Sequence, residues 1–531
     1  MKVVSIFLMC LLVSGLALAQ GVGASGDLRG TVTDPSGAIV AGATVTATDV
    51  AKGIKHTVTS SSTGDYRFTG LAPATYSVSV AKSGFQTEIA KAVVVTVGQT
   101  TAMDFQMKVS QVSEQVEVTA AAPVVETDKG HQADVINQQL ITDLPINRRD
   151  YLTFTLLAPG VTDSTRLASD QDFRVKQTPQ SGLSFYGSNG RGNSVTVDGG
   201  EANDDAGGVR LTLGQDAVQE FQINRSNYNA DLGGASGASI NIVSKSGSNN
   251  VHGTLFGFFR NDAMDAANPF SFSQALQPGQ IFNPAAPDSV GQHIKDSLSR
   301  QQFGGSIGFP IKKDKTFMFA SFEGLMSDAQ TAVPLLQSTQ IFRPDTGQFS
   351  GNNQQGIING LAALGSASVP CLTGQPALPA AVCAGILSSV LTVNPATPLG
   401  AFAVNQFENN GGLFPFNTRQ YLASARLDHQ FSEKDQMFLR FNFGHDREEN
   451  PDVQSLTGFS RGSSINPAFD NTLLGSWFHQ FSGTTQNEAR AQWNYSNFDV
   501  IPNFPGQVGL DVPGFGNFGS NIFLPSRTIM R

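Results

Sequence analysis

Between Gln420 and Tyr495 the chain keeps a two-residue beat over whole segments. Tyr421, Ala423, Ala425, Leu427 and Phe431 share one face, and Gln420, Ser424, Arg426, Asp428 and Gln430 share the other. After the turn Ser432-Glu433-Lys434-Asp435, the apolar face resumes with Met437, Leu439, Phe441 and Phe443 against Arg440 and Asn442. It continues in Trp477 and Phe481 opposite Ser476 and Gln480. A further run sets Ala489, Ala491, Trp493 and Tyr495 opposite Glu488, Arg490, Gln492 and Asn494. Strict alternation places every apolar side chain on one side of a pleat, so these runs predict β-strands joined as hairpins. A soluble sandwich also alternates. Here the runs are about ten residues long and joined alternately by tight polar turns and long segments, as in a transmembrane antiparallel β-barrel with short periplasmic turns. Phe431, Trp477, Phe481 and Tyr495 near the strand ends suit an interfacial aromatic girdle. The long segments, Asp262 to Arg300 and Leu325 to Phe416, are then extracellular loops and the expected place of substrate capture or lid closure.

The N-terminal third alternates in shorter runs. Gly30 to Thr33, Ala43 to Ala47, Tyr66 to Phe68, Tyr76 to Val80 and Ala92 to Val97 are separated by the turn sequences Asp34-Pro35-Ser36-Gly37, Thr63-Gly64-Asp65 and Ser83-Gly84. Short strands at this spacing predict a small β-sandwich over residues 26–108. Before it, Lys2 and the apolar run Val3 to Ala19, closing on Ala17-Leu18-Ala19, read as a secretory signal peptide over residues 1–19. Ala377 to Val393 is the most apolar stretch after that. Its Pro379, Gly385 and Ser388-Ser389 make it a short amphipathic helix or loop rather than a membrane span.

Residues 109–248 mix the two periods and predict an α/β domain. Val195 and Val197 form a short strand ending at Asp198, Gly199 and Gly200. A second strand runs Val218 to Ile223, and a glycine-rich turn leads into a third, Ser239 to Ser244. Ile136, Leu140, Ile141 and Leu144 recur at helical spacing until Pro145, which predicts one short helix. In Asn147-Arg148-Arg149-Asp150-Tyr151 a charged contact with the barrel wall and a solvated helix start are both open.

Composition narrows the function classes. Charged residues make up 15% of the chain, against roughly 25% in ordinary soluble domains. The net charge is −9 and no Lys/Arg cluster stands ready to follow a phosphate backbone, which disfavours a nucleic-acid partner. The seven histidines are scattered singly, so no zinc site, cofactor site or metallopeptidase centre is legible, and the chain does not read as an enzyme. Gly187-Ser188-Asn189-Gly190-Arg191-Gly192 lacks the Gly-Lys-Ser/Thr ending of a phosphate loop and reads as backbone turning. Asp198, Glu201, Asp204 and Asp205 fit no calcium-loop spacing and read as a solvated turn. His445-Asp446-Arg447-Glu448-Glu449 reads as a charged turn before an outer loop. Cys371 and Cys383 are the cysteines left after the signal, and an oxidising export route favours a disulfide between them over two free thiols.

Two stretches carry family resemblances. GTVTDPSGAIVAGATV, continuing through TGDYRFTGLAPATYSVSVAKSGF, resembles the carboxypeptidase regulatory-like, transthyretin-like domain. Val197-Asp198-Gly199, the strand Ala217 to Ile223, and Gly233, Gly234, Gly237, Asn241, Ile242 and Lys245 resemble the plug domain of TonB-dependent outer-membrane receptors. Asn224-Arg225-Ser226-Asn227-Tyr228 replaces the usual Arg-Gly-Pro, which points to the Oar-like branch. The resemblance implies a plug over residues 109–248 and the first part of an outer-membrane barrel over residues 249–531. It also implies a TonB box, a segment that pairs as an added strand with a periplasmic TonB-type coupling protein. Glu114, Gln115, Val116, Glu117, Val118 and Thr119 occupy that place; the alternative for Val116 to Thr119 is the last strand of a domain. The implied function is uptake of a bulky extracellular substrate, of saccharide or peptide class, from the outer membrane and its lipid. A non-transporting adhesin or structural surface protein is the alternative. A barrel that holds a plug has on the order of 22 strands, whereas residues 249–531 supply about eight to ten on the ten-residue spacing. The sequence is therefore expected to be C-terminally incomplete.

Overall fold

In the computed structural model, the described residues are 24–109, 115–119, 132–146, 149–163, 183–188, 190, 192–203, 208–210, 213–228, 232, 234–269, 271, 273, 292–333, 360–369, 377–391, 410–450, 462–482, 485–504, 510–512, 516–518 and 527–530. The segment read as a signal peptide lies outside them, as do Glu114, Asp204, Asp205, Gly233 and Cys371.

The N-terminal domain is a sandwich of two sheets. Gly26–Thr33 lies between the antiparallel Asp65–Leu71 and the parallel Thr100–Ala102, and also pairs Phe105–Gln106. The second sheet runs in the order Lys55–Thr59, Thr44–Asp49, Ala74–Ala81, Thr87–Val95, Gln115–Thr119. Alternate residues point inward, so Leu28, Val32, Val45, Ala47, Tyr66, Phe68, Tyr76, Val78 and Val80 form one dry core. Gln115–Thr119 runs parallel to the sandwich's own Thr87–Lys91 and is the edge strand of that sheet. Gln115 to Thr119, read as a coupling segment or as the last strand of a domain, is paired as the last strand of the sandwich sheet. Their alternation specified a strand and said nothing about its partner.

The plug holds a five-stranded sheet in the order Gln132–Ile136, Val218–Ser226, Ser239–Ser244, Ser194–Val197, Gly200–Glu201. The expected strands are present, and Ser239–Ser244 is buried along its whole length. The helix is shorter than its apolar spacing suggested. It covers Gln138–Asp143, capped by the Asn137 side chain, while Ile136 closes the preceding strand.

Among the described residues the barrel sheet has ten strands. Its main order is His252–Asn261, Leu298–Lys312, Thr316–Val333, Thr418–Ser432, Asp435–Glu449, Ser463–Gln480, Gln486–Phe498, Arg527–Met530. Gly412–Pro415 and Val500–Pro502 pair alongside. Its long strands run to 15 and 18 residues, well beyond the expected ten. They extend into what was read as loop, because Leu298 to Arg300, Leu325 to Val333 and Gly412 to Pro415 are paired. His445 to Glu449 likewise belongs to a strand rather than a turn. Ala380–Leu391 is a helix of 12 residues that contains the disulfide-bonded Cys383. No helix among the described residues is long and apolar enough to cross a membrane.

The decisive feature is that the barrel is inverted relative to a soluble sandwich. Leu439 is 42% exposed while its neighbour Arg440 is 1% exposed. Met437, Phe441, Leu473, Trp477 and Trp493 face outward, and Ser424, Arg426, Asn442, Thr472, Ser476 and Asn494 are buried. Apolar residues outside and polar residues inside is the pattern of a barrel solvated by lipid. Phe431 and Phe481 are exposed beside the short turns, where an aromatic girdle belongs.

Candidate functional site: the plug and barrel interface

The plug meets the barrel through buried charge. The turn after Ser194–Val197 places Asp198 at φ 49° and Gly199 at φ 73°. Both are left-handed conformations, which Asp tolerates and Gly prefers. A Cβ on Gly199 would sit 2.3 Å from Arg490 Nη1, so glycine is needed here for closeness as well as for the turn. The turn aims Asp198 back at its own sheet. Ser244 donates to it twice, from the backbone N–H to Oδ1 at 2.8 Å and from Oγ to Oδ2 at 2.6 Å.

Two barrel arginines complete the shell. Arg426 Nη1 donates to Asp198 Oδ1 at 3.2 Å and to Ser244 Oγ at 2.9 Å, while its Nη2 pairs with Asp428 at 2.9 Å. The guanidinium lies over the Phe438 ring, 4.2 Å from the centroid. Arg440 Nε lies 3.3 Å from Asp198 Oδ2, and its Nη2 donates to the Val197 carbonyl at 3.1 Å. The same turn receives a hydrogen bond from Arg490 Nη1 at the Gly199 carbonyl, 3.1 Å, and from Gln492 Nε2 at the Glu201 carbonyl, 2.8 Å. Asp198, read from the sequence as part of a solvated turn, is fully buried. An acidic residue is depleted from interiors unless paired, and its arginine partners lie on strands more than 200 residues away.

A second cluster fastens the plug to neighbouring strands. Arg149 Nη2 pairs with Asp216 at 2.6 Å, and Nε lies 3.4 Å from barrel Glu323. The same guanidinium stacks over Phe256 at 3.8 Å. Gln302 donates to Glu323 and Thr254 to Asp216. Of the two readings open for residues 147–151, the contact with the barrel wall is the one observed, at Arg149. Arg210 and Asp470 form a third bridge, 3.1 Å apart.

The remaining motif residues hold the plug together. Asn241 accepts from Thr196 Oγ1 at 2.9 Å between adjacent strands, and Ile242 is in the core. A Cβ on Gly237 would press on Asn193, and Gly234 takes φ 81°. Lys245 is largely buried; desolvation holds its ammonium below the ordinary lysine range, opposed by nearby Asp216. Glu220 is buried where the plug sheet meets the sandwich. Burial raises its carboxyl to about 7, opposed by the Val97 N–H that it accepts at 2.5 Å. None of this groups a nucleophile with a base. Among the described residues no set of three or more His, Cys, Asp or Glu side chains is placed to hold a metal.

The family match agrees with this inside-out barrel. The outer membrane beta barrel domain family matches residues 243–529. The chain belongs to that family. It is therefore an outer-membrane barrel protein. Residues 27–108 match the carboxypeptidase regulatory-like domain. The TonB-dependent transporter Oar of Myxococcus xanthus is 27% identical over 322 residues, which is 59% of this chain and 27% of the Oar protein. Solved structures that align include the outer membrane transporter YddB of Escherichia coli, at 10% identity and a TM-score of 0.41. That alignment covers 73% of this chain and 43% of YddB. A mutant ferric enterobactin receptor of Pseudomonas aeruginosa aligns at 12% identity with a TM-score of 0.39, covering 76% of this chain and 45% of the receptor. The chain thus spans about a quarter of the Oar protein and under half of these solved barrels.

Proposed function

We propose that this barrel protein is a TonB-dependent receptor that imports a bulky substrate, of saccharide or peptide class, through the plugged barrel. The observation that carries the reading is the Asp198 cluster, which seats a separately folded domain inside the polar face of a lipid-solvated sheet. A plug held by a few buried ion pairs is firmly closed at rest. On release Arg426 keeps Asp428, whereas Asp198 loses both of its arginines and keeps only Ser244, so the cost falls on that buried carboxylate. The long segments between strands, opposite the short turns, supply the outer binding surface, and the short-turn end faces the energised partner. A coupling protein that binds the released form better than the closed form shifts the equilibrium by that difference in affinity.

Glu114 to Thr119 is the proposed coupling segment, of which the structure describes Gln115 to Thr119. That stretch is extended, alternating and at a sheet edge, which is the geometry that strand addition requires. The experiment is deletion of Gln115 to Thr119, followed by growth on a panel of oligosaccharides and peptides as sole carbon source and by binding of the same compounds to whole cells. Loss of growth with retained binding supports coupled uptake. Unchanged growth and binding fits a surface adhesin and overturns the transport reading.

A further inference from the structure

We propose that the sandwich domain is a second gate, seated across the short-turn end of the barrel and in series with the plug. The plug then leaves the barrel only after the sandwich has undocked. This rests on the reading of a plug held inside a barrel, but on neither the partner nor the substrate.

Three separate contacts define the seat. At one side, Asn249 donates from its backbone to the Ala51 carbonyl at 2.9 Å. Its side chain bridges the Lys52 carbonyl and Asp314, which lies in the short turn between two barrel strands. At the other side, Thr69 Oγ1 donates to Gln486 Oε1 at 2.7 Å, next to the turn that follows Gln480. Gly70 there takes φ 71°, and a Cβ on it would lie 2.3 Å from the Phe478 ring. In the middle, the turn after Val95 covers the plug sheet. Val97 donates to Glu220, Gln222 donates to the Gly98 carbonyl at 3.4 Å, and both plug side chains are buried.

Between these points the seat spans five consecutive barrel strands. A cavity of about 70 Å³ separates Lys52, Ile54 and Gly70 of the sandwich from Phe317, Arg426 and Phe478 of the barrel. Arg426 therefore has Asp198 on its plug side and the sandwich on its other side. A domain fastened to the plug and to two separated points of the sheet, the turn at Asp314 and the start of Gln486–Phe498, blocks movement toward the short turns. Because Gln115 to Thr119 is hydrogen-bonded into the sandwich sheet, force applied to that strand reaches the sandwich directly.

The test is mechanical and uses the full chain in lipid. Thr69→Cys and Gln486→Cys, whose native side chains already touch, are oxidised to lock the sandwich to the barrel. An enzymatically ligated handle inserted after Thr127 lets single molecules be pulled from a supported bilayer, with the force reaching the plug through its N-terminal side and the sandwich through Thr119. The chain lacking the new pair, whose traces are expected to be the same oxidised and reduced, serves as the reference for the natural disulfide. The proposal expects the contour length of the plug to be at least tenfold rarer in traces of the oxidised pair and to return on reduction. Equal rupture force and equal plug length in both oxidation states would overturn it. Failure of the pair to cross-link in membranes would also overturn it, because the seat would then not exist. Loss of the transport reading alone would leave this result standing.

Discussion

Arg440 of the barrel reaches Asp198 of the plug with Nε 3.3 Å from Oδ2, and neither side chain touches solvent. Removing one partner of a buried ion pair strands the other charge and typically costs about 3–5 kcal/mol. Asp198→Asn keeps the left-handed backbone, which Asn tolerates, and removes only the charge. We expect it to loosen the plug by an amount within that range, read as earlier proteolysis of plug residues and a lower first melting transition in detergent. An unchanged transition would mean that Ser244 and the backbone contacts hold the turn without the arginines.

Glu220 gives the folded assembly a pH dependence of definite sign. Its carboxyl stands at about 7 against an ordinary 4.5, because burial disfavours the charged form. A raised value means that the folded state binds the proton more tightly. Its stabilising share is full below pH 4.5 and is lost as pH rises through 7. The difference corresponds to ~3 kcal/mol. Amide exchange at Val97, which donates to Glu220, is therefore expected to quicken between pH 5 and pH 8, beyond the intrinsic base catalysis of exchange. Glu220→Gln is expected to abolish that excess while keeping the hydrogen bond.

Phe441 lies midway along Asp435–Glu449 on the outward face. An arginine on the lipid face costs ~2–4 kcal/mol near the bilayer midplane and little near the interfaces. Phe441→Arg is expected to lower insertion and heat resistance in membranes. Glu433→Arg in the exposed short turn is expected to change neither. Heat-modifiable mobility on gels compares the two variants directly.

Much of this architecture was legible because alternation is a local signal. The runs around Leu439 and Trp477 fixed strands, and Val197-Asp198-Gly199 fixed a turn. What alternation does not carry is the identity of the partner. Asp198 resembles any acidic turn residue until Arg426, 228 positions later in the chain, is brought beside it by the barrel. Arg426 and Arg440 were visible only as members of a polar face. Gln115 to Thr119 was visible as a strand, but its parallel pairing with Thr87 to Lys91 depends on tertiary closure of the sandwich. The charged run from His445 to Glu449 reads as a turn because charge usually marks solvent. On a strand beside a wet barrel interior it does not.

The account depends on hydrocarbon meeting the outward face of the barrel. The chain has 2 tryptophans, Trp477 and Trp493, and each is 43% exposed on that face. Their fluorescence in bilayers of lipids brominated along the acyl chains is the most direct test. Strong quenching by the brominated chains, with little quenching by aqueous iodide, is the predicted result. Quenching by iodide with none from the brominated lipid would contradict the account.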